Sequence, residues 1–90
     1  MAKKILLIED EQLMIELLEK KLSREGYQVI IAKDGIEGLD KARKEKPDII
    51  LTDVIMPRMG GFEVMEEIEK DSAKSIKKYP YYAYPDTSIL

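Results

Sequence analysis

The chain has 90 residues, 44% of them hydrophobic, which allows one domain with a modest core and argues against wholesale disorder. Its net charge is −3 and it contains no Cys and no His, which excludes a basic nucleic-acid surface, a thiolate nucleophile, a disulfide, an imidazole base and a phosphohistidine. Chemistry in this chain must therefore come from carboxylates, Lys, Ser, Thr, backbone amides or a bound ion.

The predicted elements alternate between strands and helices along the chain. Short apolar runs predict strands at 4–8, 27–32 and 48–52, and apolar residues at helical spacing predict helices at 11–25, 36–46 and 62–70. We expect Asp10 to cap the first helix, Gly26 to end it in a left-handed conformation, and Pro47 to end the second helix. The order β-α-β-α-β-α predicts right-handed crossovers and a doubly wound parallel sheet of the α/β class.

The composition changes after residue 77. Four of the five Tyr residues lie within 79–84, and no helical period runs through 78–90. Two prolines stand in this segment, and they confine any strand there to an edge of the sheet. We therefore expect an irregular tail or an edge strand formed by 79–84. The Tyr residues have no basic groove beside them, so nucleic acid is not expected as a partner.

Neither a membrane span nor a secretion signal is predicted. No stretch reaches the roughly 18 consecutive apolar residues of a transmembrane helix, and the first residues lack the layout of a signal peptide. We expect a cytoplasmic protein with no membrane partner. Charged residues reach 37%, mostly Lys and Glu, and Asn is absent, which is typical of heat-adapted proteins. A melting temperature of about 50 °C, ordinary for a mesophilic domain, would contradict a thermophilic host.

Acidic residues follow two of the predicted strands. Glu9, Asp10 and Glu11 come directly after the first strand, and Asp53 follows the third. If these strands are neighbours, Glu9, Asp10 and Asp53 converge at the carboxyl end of the sheet, where α/β proteins bind ligands. Three carboxylates so close repel one another, and Mg²⁺ would relieve that repulsion. An Asp beside Mg²⁺ can attack phosphorus. Each feature alone also has a structural reading, because acids stabilise helix N-termini and Asp favours turns.

Four stretches of the sequence resemble the receiver domain of two-component response regulators, including the chemotaxis regulators. They are ILLIEDE at 5–11, GYQV at 26–29, AKDG at 32–35 and KPDIILTDVIMP at 46–57, in the family's order and spacing. The resemblance covers about residues 3–71 of this sequence.

The resemblance implies a role for each acidic residue. Asp53 would be the phosphoacceptor, Asp10 a direct Mg²⁺ ligand, Glu9 a ligand through water, and Ile55 the residue whose backbone carbonyl completes the metal site. The chain would be a signalling protein and not an enzyme, beyond self-catalysed phosphorylation and dephosphorylation at Asp53. Its partner would be a histidine kinase or a small phosphodonor.

The C-terminal part departs from the family pattern. The family sheet has five strands in the order 2-1-3-4-5, and its switch uses a Ser or Thr after the fourth strand and a Lys after the fifth. Here Thr87 and Ser88 stand in an unlike context, and Lys74, Lys77 and Lys78 do not match the lysine position. The resemblance therefore implies impaired phosphorylation and loss of the usual conformational response.

These departures predict a receiver domain at 1–71, truncated at its C-terminus, and an atypical tail at 72–90. One hypothesis is that the tail is an out-of-frame reading of the family's fourth strand, because Tyr codons shifted by one base can encode Ile. Without that strand, the apolar edge of the third strand would lack a neighbour and invite another chain. We expect a homodimer or higher homo-oligomer through this edge, rather than pairing with 79–84.

Two other functions remain open on the sequence alone. The first is a self-associating receiver fragment without phosphotransfer. Its acidic residues would be retained from the family without a function in this chain. The second is a phosphatase that forms an aspartyl-phosphate. This function is less favoured, because the Asp-x-Asp pattern and partner Lys of such enzymes are missing. Phosphorylation that depends on Asp53 separates the receiver from the self-associating fragment.

Overall fold

The computed structural model describes residues 3–54, 60–71 and 77–81, which form four parallel strands and three α-helices. In chain order they are β1 Lys4–Ile8, α1 Gln12–Arg24, β2 Gln28–Ala32, α2 Gly35–Glu45, β3 Ile49–Asp53, α3 Gly61–Asp71 and β4 Lys77–Tyr81. The predicted α/β class is confirmed, and each bound of the first six elements lies within one residue of its prediction. None of the described helices is long and apolar enough to cross a membrane.

The sheet has the strand order β2-β1-β3-β4, so β1 and β3 are neighbours at its centre. Ile8 of β1 pairs with Ala32 of β2 on one side and with Thr52 of β3 on the other. Parallel strands end at the same edge of a sheet. The residues that follow β1 therefore lie beside the last residue of β3.

Apolar side chains cover both faces of the central strands. On one face, a buried cluster joins β1, β2 and β3 to α2 and α3, and it consists of Leu6, Ile8, Ala32, Leu39, Ala42, Ile50, Val64 and Ile68. Ile5 and Leu7 alternate with that cluster along β1 and are buried outside it, as is Ile15 of α1. β1 is buried on both faces from Ile5 to Ile8, whereas β3 is buried on one face and half-buried on the other, and both strands show as short apolar runs in the sequence.

β4 pairs with β3 along the whole of that strand, from Ile49 opposite Lys77 to Asp53 opposite Tyr81. The prediction of an unpaired β3 edge is therefore wrong, and with it the reason for expecting oligomers there. The predicted edge strand does form, but it begins before the Tyr-rich segment. Pro80 lies within it, and the edge position accommodates a residue that has no N–H to donate. Residues 82–90 lie outside the described residues.

The ends of α1 settle two further predictions. Glu11, not Asp10, is the N-cap of α1, and no side chain caps this terminus, so the prediction for Asp10 is wrong. Glu11 takes the cap position because its backbone is extended, which leaves Asp10 one residue further out, among the acidic residues beyond β1. Gly26 has a φ of +93°, which confirms the left-handed ending that follows α1.

Candidate functional site

The three predicted carboxylates meet at the carboxyl ends of β1 and β3. Ile8 and Thr52 are partners in the sheet register, so Glu9 and Asp53, the next residues of each chain segment, lie side by side. One carboxylate oxygen from each of Glu9, Asp10 and Asp53 lies within 4.8 Å of the other two. The structure thus brings together the three acidic side chains that the sequence predicted to converge.

The three carboxylates differ in their access to water. Glu9 is fully buried, Asp53 is 1% exposed, and Asp10 is exposed. The backbone N–H of Glu11 donates to Glu9 Oε2 at 3.1 Å, which orients this carboxylate. Burying two carboxylates beside a third concentrates negative charge in a region of low dielectric, where a cation has the greatest effect. The exposed Asp10 is the side from which such an ion would enter.

The donor set fits Mg²⁺. All three side chains offer oxygen atoms, which Mg²⁺ prefers, and the absence of Cys and His from the chain removes the nitrogen and sulfur ligands typical of zinc. Mg²⁺ is usually held by one or two carboxylates and keeps several water molecules. A cluster with one exposed member suits that pattern. Ile55, the predicted carbonyl ligand, lies outside the described residues.

The backbone of Asp53 is held from two directions. The buried Thr52 hydroxyl donates to the carbonyl oxygen of Asp53 at 3.1 Å. Gly61, the first residue of α3, lies so close that a Cβ atom there would be 2.6 Å from the same oxygen. Gly61 directly precedes the helix predicted at 62–70, and its contact with Asp53 was not predicted. The one available signal was the pair Gly60-Gly61 directly before an apolar helix.

The lysines of β4 lie away from this site. Lys77 and Lys78 stand opposite Ile49 and Ile50, at the start of the paired strands, whereas Asp53 is at the end. Lys78 Nζ forms an ion pair with Glu69 of α3 at 2.7 Å. In the sequence, neither lysine matches the family's lysine position. Lys74, Thr87 and Ser88 lie outside the described residues.

Comparison with known proteins gives consistent results. The sequence model of the family described as response regulator receiver domain matches residues 5–79. The alkaline phosphatase synthesis transcriptional regulatory protein PhoP of Bacillus subtilis is 47% identical over 70 residues, which are 78% of this chain and 29% of that protein. The chain thus spans less than a third of this curated relative.

Two solved structures are also similar. A CheY-like response regulator receiver domain protein of Methanospirillum hungatei has a TM-score of 0.86 and 31% identity, covering 98% of this chain and 70% of its own. The response regulator protein TrrA of Thermotoga maritima, solved in complex with Mg(2+)-BeF, has a TM-score of 0.79 and 28% identity. That match covers 98% of this chain and 93% of the TrrA chain.

Proposed function

Because the chain belongs to the response regulator receiver domain family, whose members are signalling proteins and not classical enzymes, we propose that it accepts a phosphoryl group on Asp53 with Mg²⁺ bound beside it. The observation that carries this proposal is the convergence of Glu9, Asp10 and Asp53 within 4.8 Å at two adjacent strand ends. In TrrA, a similar fold was solved with Mg(2+)-BeF. Residues 1–71 hold every residue of the proposed site, and 72–90 contribute β4 as an edge strand.

Each acidic side chain has a distinct proposed role. Asp10, the exposed member, would bind the ion directly, and the buried Glu9 would bind it through water. Asp53 would contribute one carboxylate oxygen as a ligand and use the other as the nucleophile. The backbone carbonyl of Ile55 is the proposed fourth protein ligand. When bound, Mg²⁺ would neutralise charge on the phosphoryl oxygens during transfer.

The proposed transfer is a single displacement at phosphorus. An oxygen of Asp53 attacks the phosphorus atom of the donor and forms a new O–P bond. The bond from phosphorus to the donor breaks, and its electron pair leaves with the donor group, which is a kinase imidazole or the carboxylate of a small acyl phosphate. Water later attacks the phosphorus atom of phosphorylated Asp53, which restores the Asp53 carboxylate and releases phosphate. In both steps, the chain holds Asp53 in place. Phosphorylation and dephosphorylation of Asp53 are therefore proposed as self-catalysed reactions at most.

We also propose that the response to phosphorylation is impaired. At the end of the described sheet, the residue of β4 opposite Asp53 is Tyr81, and Lys77 and Lys78 lie at the other end of that strand. Lys77 and Lys78 therefore stand four and three register positions before the residue opposite Asp53. Without a cation from β4 beside Asp53, phosphorylation should be slow and produce little conformational change. The proposed partner is a histidine kinase or a small phosphodonor in the cytoplasm.

The proposal can be tested by intact-protein mass spectrometry after incubation with Mg²⁺ and acetyl phosphate. The wild-type chain should gain the mass of one phosphoryl group, and Asp53→Asn should not. Asp40→Asn is the matched control, because Asp40 is an exposed carboxylate of α2 that pairs with Lys44 at 3.1 Å. A wild-type chain that gains no mass, or an Asp53→Asn chain that gains it equally, would overturn the proposal.

A second candidate function is self-association without phosphotransfer. It is favoured by two large apolar side chains four residues apart on α1, Leu13 and Leu17, which are 62% and 61% exposed. Adjacent exposed apolar groups are typical of contact surfaces. Light scattering of the Leu17→Lys variant beside the wild type tests this candidate. A wild-type chain that stays monomeric at high concentration would eliminate it.

A further inference from the structure

We propose that Gly61 is a positioning residue for Asp53. The first residue of α3 lies directly against the backbone at the end of β3, and only a residue without a side chain can do so. This contact fixes the position of the backbone at the end of β3 and therefore the direction of the Asp53 carboxylate. The role in Mg²⁺ binding and phosphoryl transfer rests on the proposed function, whereas the effect on Asp53 itself does not.

The contact is one of backbone against backbone. A Cβ atom at Gly61 would be 2.6 Å from the carbonyl oxygen of Asp53, 3.0 Å from Cα of Val54 and 3.2 Å from the carbonyl carbon of Asp53. Real Cβ atoms essentially never come within 3.0 Å of a heavy atom outside their own residue and its chain neighbours. The closest of these contacts would have to lengthen by at least about 0.4 Å, because packed interiors do not absorb such overlap.

The need for glycine at this position is spatial. Gly26 is the one described glycine with a positive φ, so the backbone of Gly61 does not require the conformational freedom of glycine. Gly38 of α2 provides a useful contrast. A Cβ there would be 2.5 Å from Cδ1, 2.9 Å from Cγ1 and 3.1 Å from Cγ2 of Ile8, all of which are side-chain atoms and not backbone. The carbonyl of Asp53 cannot rotate away without moving the strand.

Packing and strand pairing hold α3 and β3 more firmly than they hold the backbone step from Asp53 to Val54. α3 is anchored by Val64 and Ile68, which are 0% and 3% exposed. β3 is paired with β1 as far as Thr52 and with β4 to its end. A side chain at position 61 would therefore displace the chain where restraint is weakest, at the step from Asp53 to Val54. That step carries the carboxylate of the proposed site.

A displacement of this size matters for Mg²⁺. The ion requires a nearly ideal octahedron with ligands at about 2.0–2.1 Å, so a shift of a few tenths of an ångström in one carboxylate spoils the geometry. Loss of a residue that orients a metal ligand typically lowers metal affinity by about 10–100-fold. We expect Gly61→Ala to bind Mg²⁺ about tenfold more weakly than the wild type, the lower end of that range.

The test compares Gly61→Ala with Gly38→Ala in the full chain. Gly38→Ala serves as the control because it also crowds a helix against the sheet, but it presses on side-chain atoms of Ile8 and not on the backbone of the site. The first readout is the carboxyl ¹³C resonance of Asp53 without divalent ions, which should move in Gly61→Ala and stay in place in Gly38→Ala. An unmoved resonance in Gly61→Ala overturns the inference, whether or not the chain binds Mg²⁺ or phosphoryl groups.

The second readout is Mg²⁺ affinity, measured from amide chemical shifts while each variant is folded. Gly61→Ala should lose about tenfold in affinity, and Gly38→Ala less than about twofold even if both lose the same stability. Equal affinity in the two variants contradicts the inference. If Gly61→Ala does not fold in buffer, both variants are compared in an osmolyte such as TMAO, which favours the compact state. An unmoved Asp53 resonance in Gly61→Ala under these conditions would equally refute the role.

Discussion

Removing one charge from the carboxylate cluster should stabilise the metal-free protein. The change is Asp53→Asn, which preserves the size and shape of a side chain that is 1% exposed. At 4.8 Å, the upper limit on the separations of the ligand oxygens in the cluster, two unit charges repel by about 3 kcal/mol at an effective dielectric of about 20 and by about 1 kcal/mol in bulk water. The buried Glu9 lies nearer the first limit and the exposed Asp10 nearer the second. We expect a net gain of about 1–3 kcal/mol in the free energy of unfolding, after allowance for hydrogen bonds that the amide does not replace.

Urea unfolding with EDTA, and again with Mg²⁺, measures this gain. In EDTA, the urea midpoint of Asp53→Asn should rise by about 1 M at a typical slope of 1–2 kcal/mol per M. The wild-type chain should gain about 1.4 kcal/mol from Mg²⁺ at ten times its dissociation constant, and the variant should gain much less. Asp40→Asn, which removes an exposed carboxylate, should leave both midpoints nearly unchanged. An Asp53→Asn chain that is less stable than the wild type in EDTA would show that repulsion among the three carboxylates does not destabilise the metal-free protein.

Three further predictions concern local features of the fold. Asp34→Ala removes the cap at the start of α2, where Oδ1 accepts the N–H of Glu37 at 2.8 Å, and should lower the free energy of unfolding by about 1 kcal/mol in a urea titration. The backbone N–H of Lys33 donates to Glu37 Oε1 at 2.7 Å and holds the pKa of that carboxyl below its usual range. Burial partly opposes this lowering of the pKa, and the ion pair with Lys41 reinforces it. The stability this provides is complete above about pH 4.3 and is lost as the pH falls through the lower pKa of the folded state, so Glu37→Gln should flatten the acid limb of a pH–stability curve. Gly26→Ala forces a side chain onto a φ of +93° in otherwise open space and should cost about 1 kcal/mol by thermal unfolding; an unchanged melting temperature would show that the turn relaxes.

The first six elements could be predicted because their signals are local. β1 and β3 lie at the centre of the sheet and each contains a run of consecutive apolar residues, and the helices have apolar and charged faces. The signal for β4 was weaker and came from its Tyr residues alone. Its sequence KKYPY contains two lysines and a proline, and it is a strand because β3 offers it a partner. Pairing with a neighbouring strand can override a weak local preference, and the pairing begins at Lys77 and not at the first Tyr.

The candidate site was predictable in its residues but not in its detail. Acids at the ends of β1 and β3 indicated where charge would gather once those strands were taken as neighbours. The local preference for Asp over Glu as an N-cap residue favoured Asp10, yet Glu11 takes this position without a side-chain cap. The contact of Gly61 with Asp53 was invisible, since it depends on how closely α3 approaches β3.

The sequence by itself determined the α/β class, the alternation of its elements and the acidic character of two strand ends, because these follow from periodicity and residue type within short windows. Only the tertiary structure decided that Glu9 and Asp53, distant along the chain, share one site. It also decided that β4 covers β3 and that α3 meets the end of β3 through a bare glycine. These outcomes depend on the register of hydrogen bonds between strands and on the packing of helices against them, which involve residues far apart in the sequence.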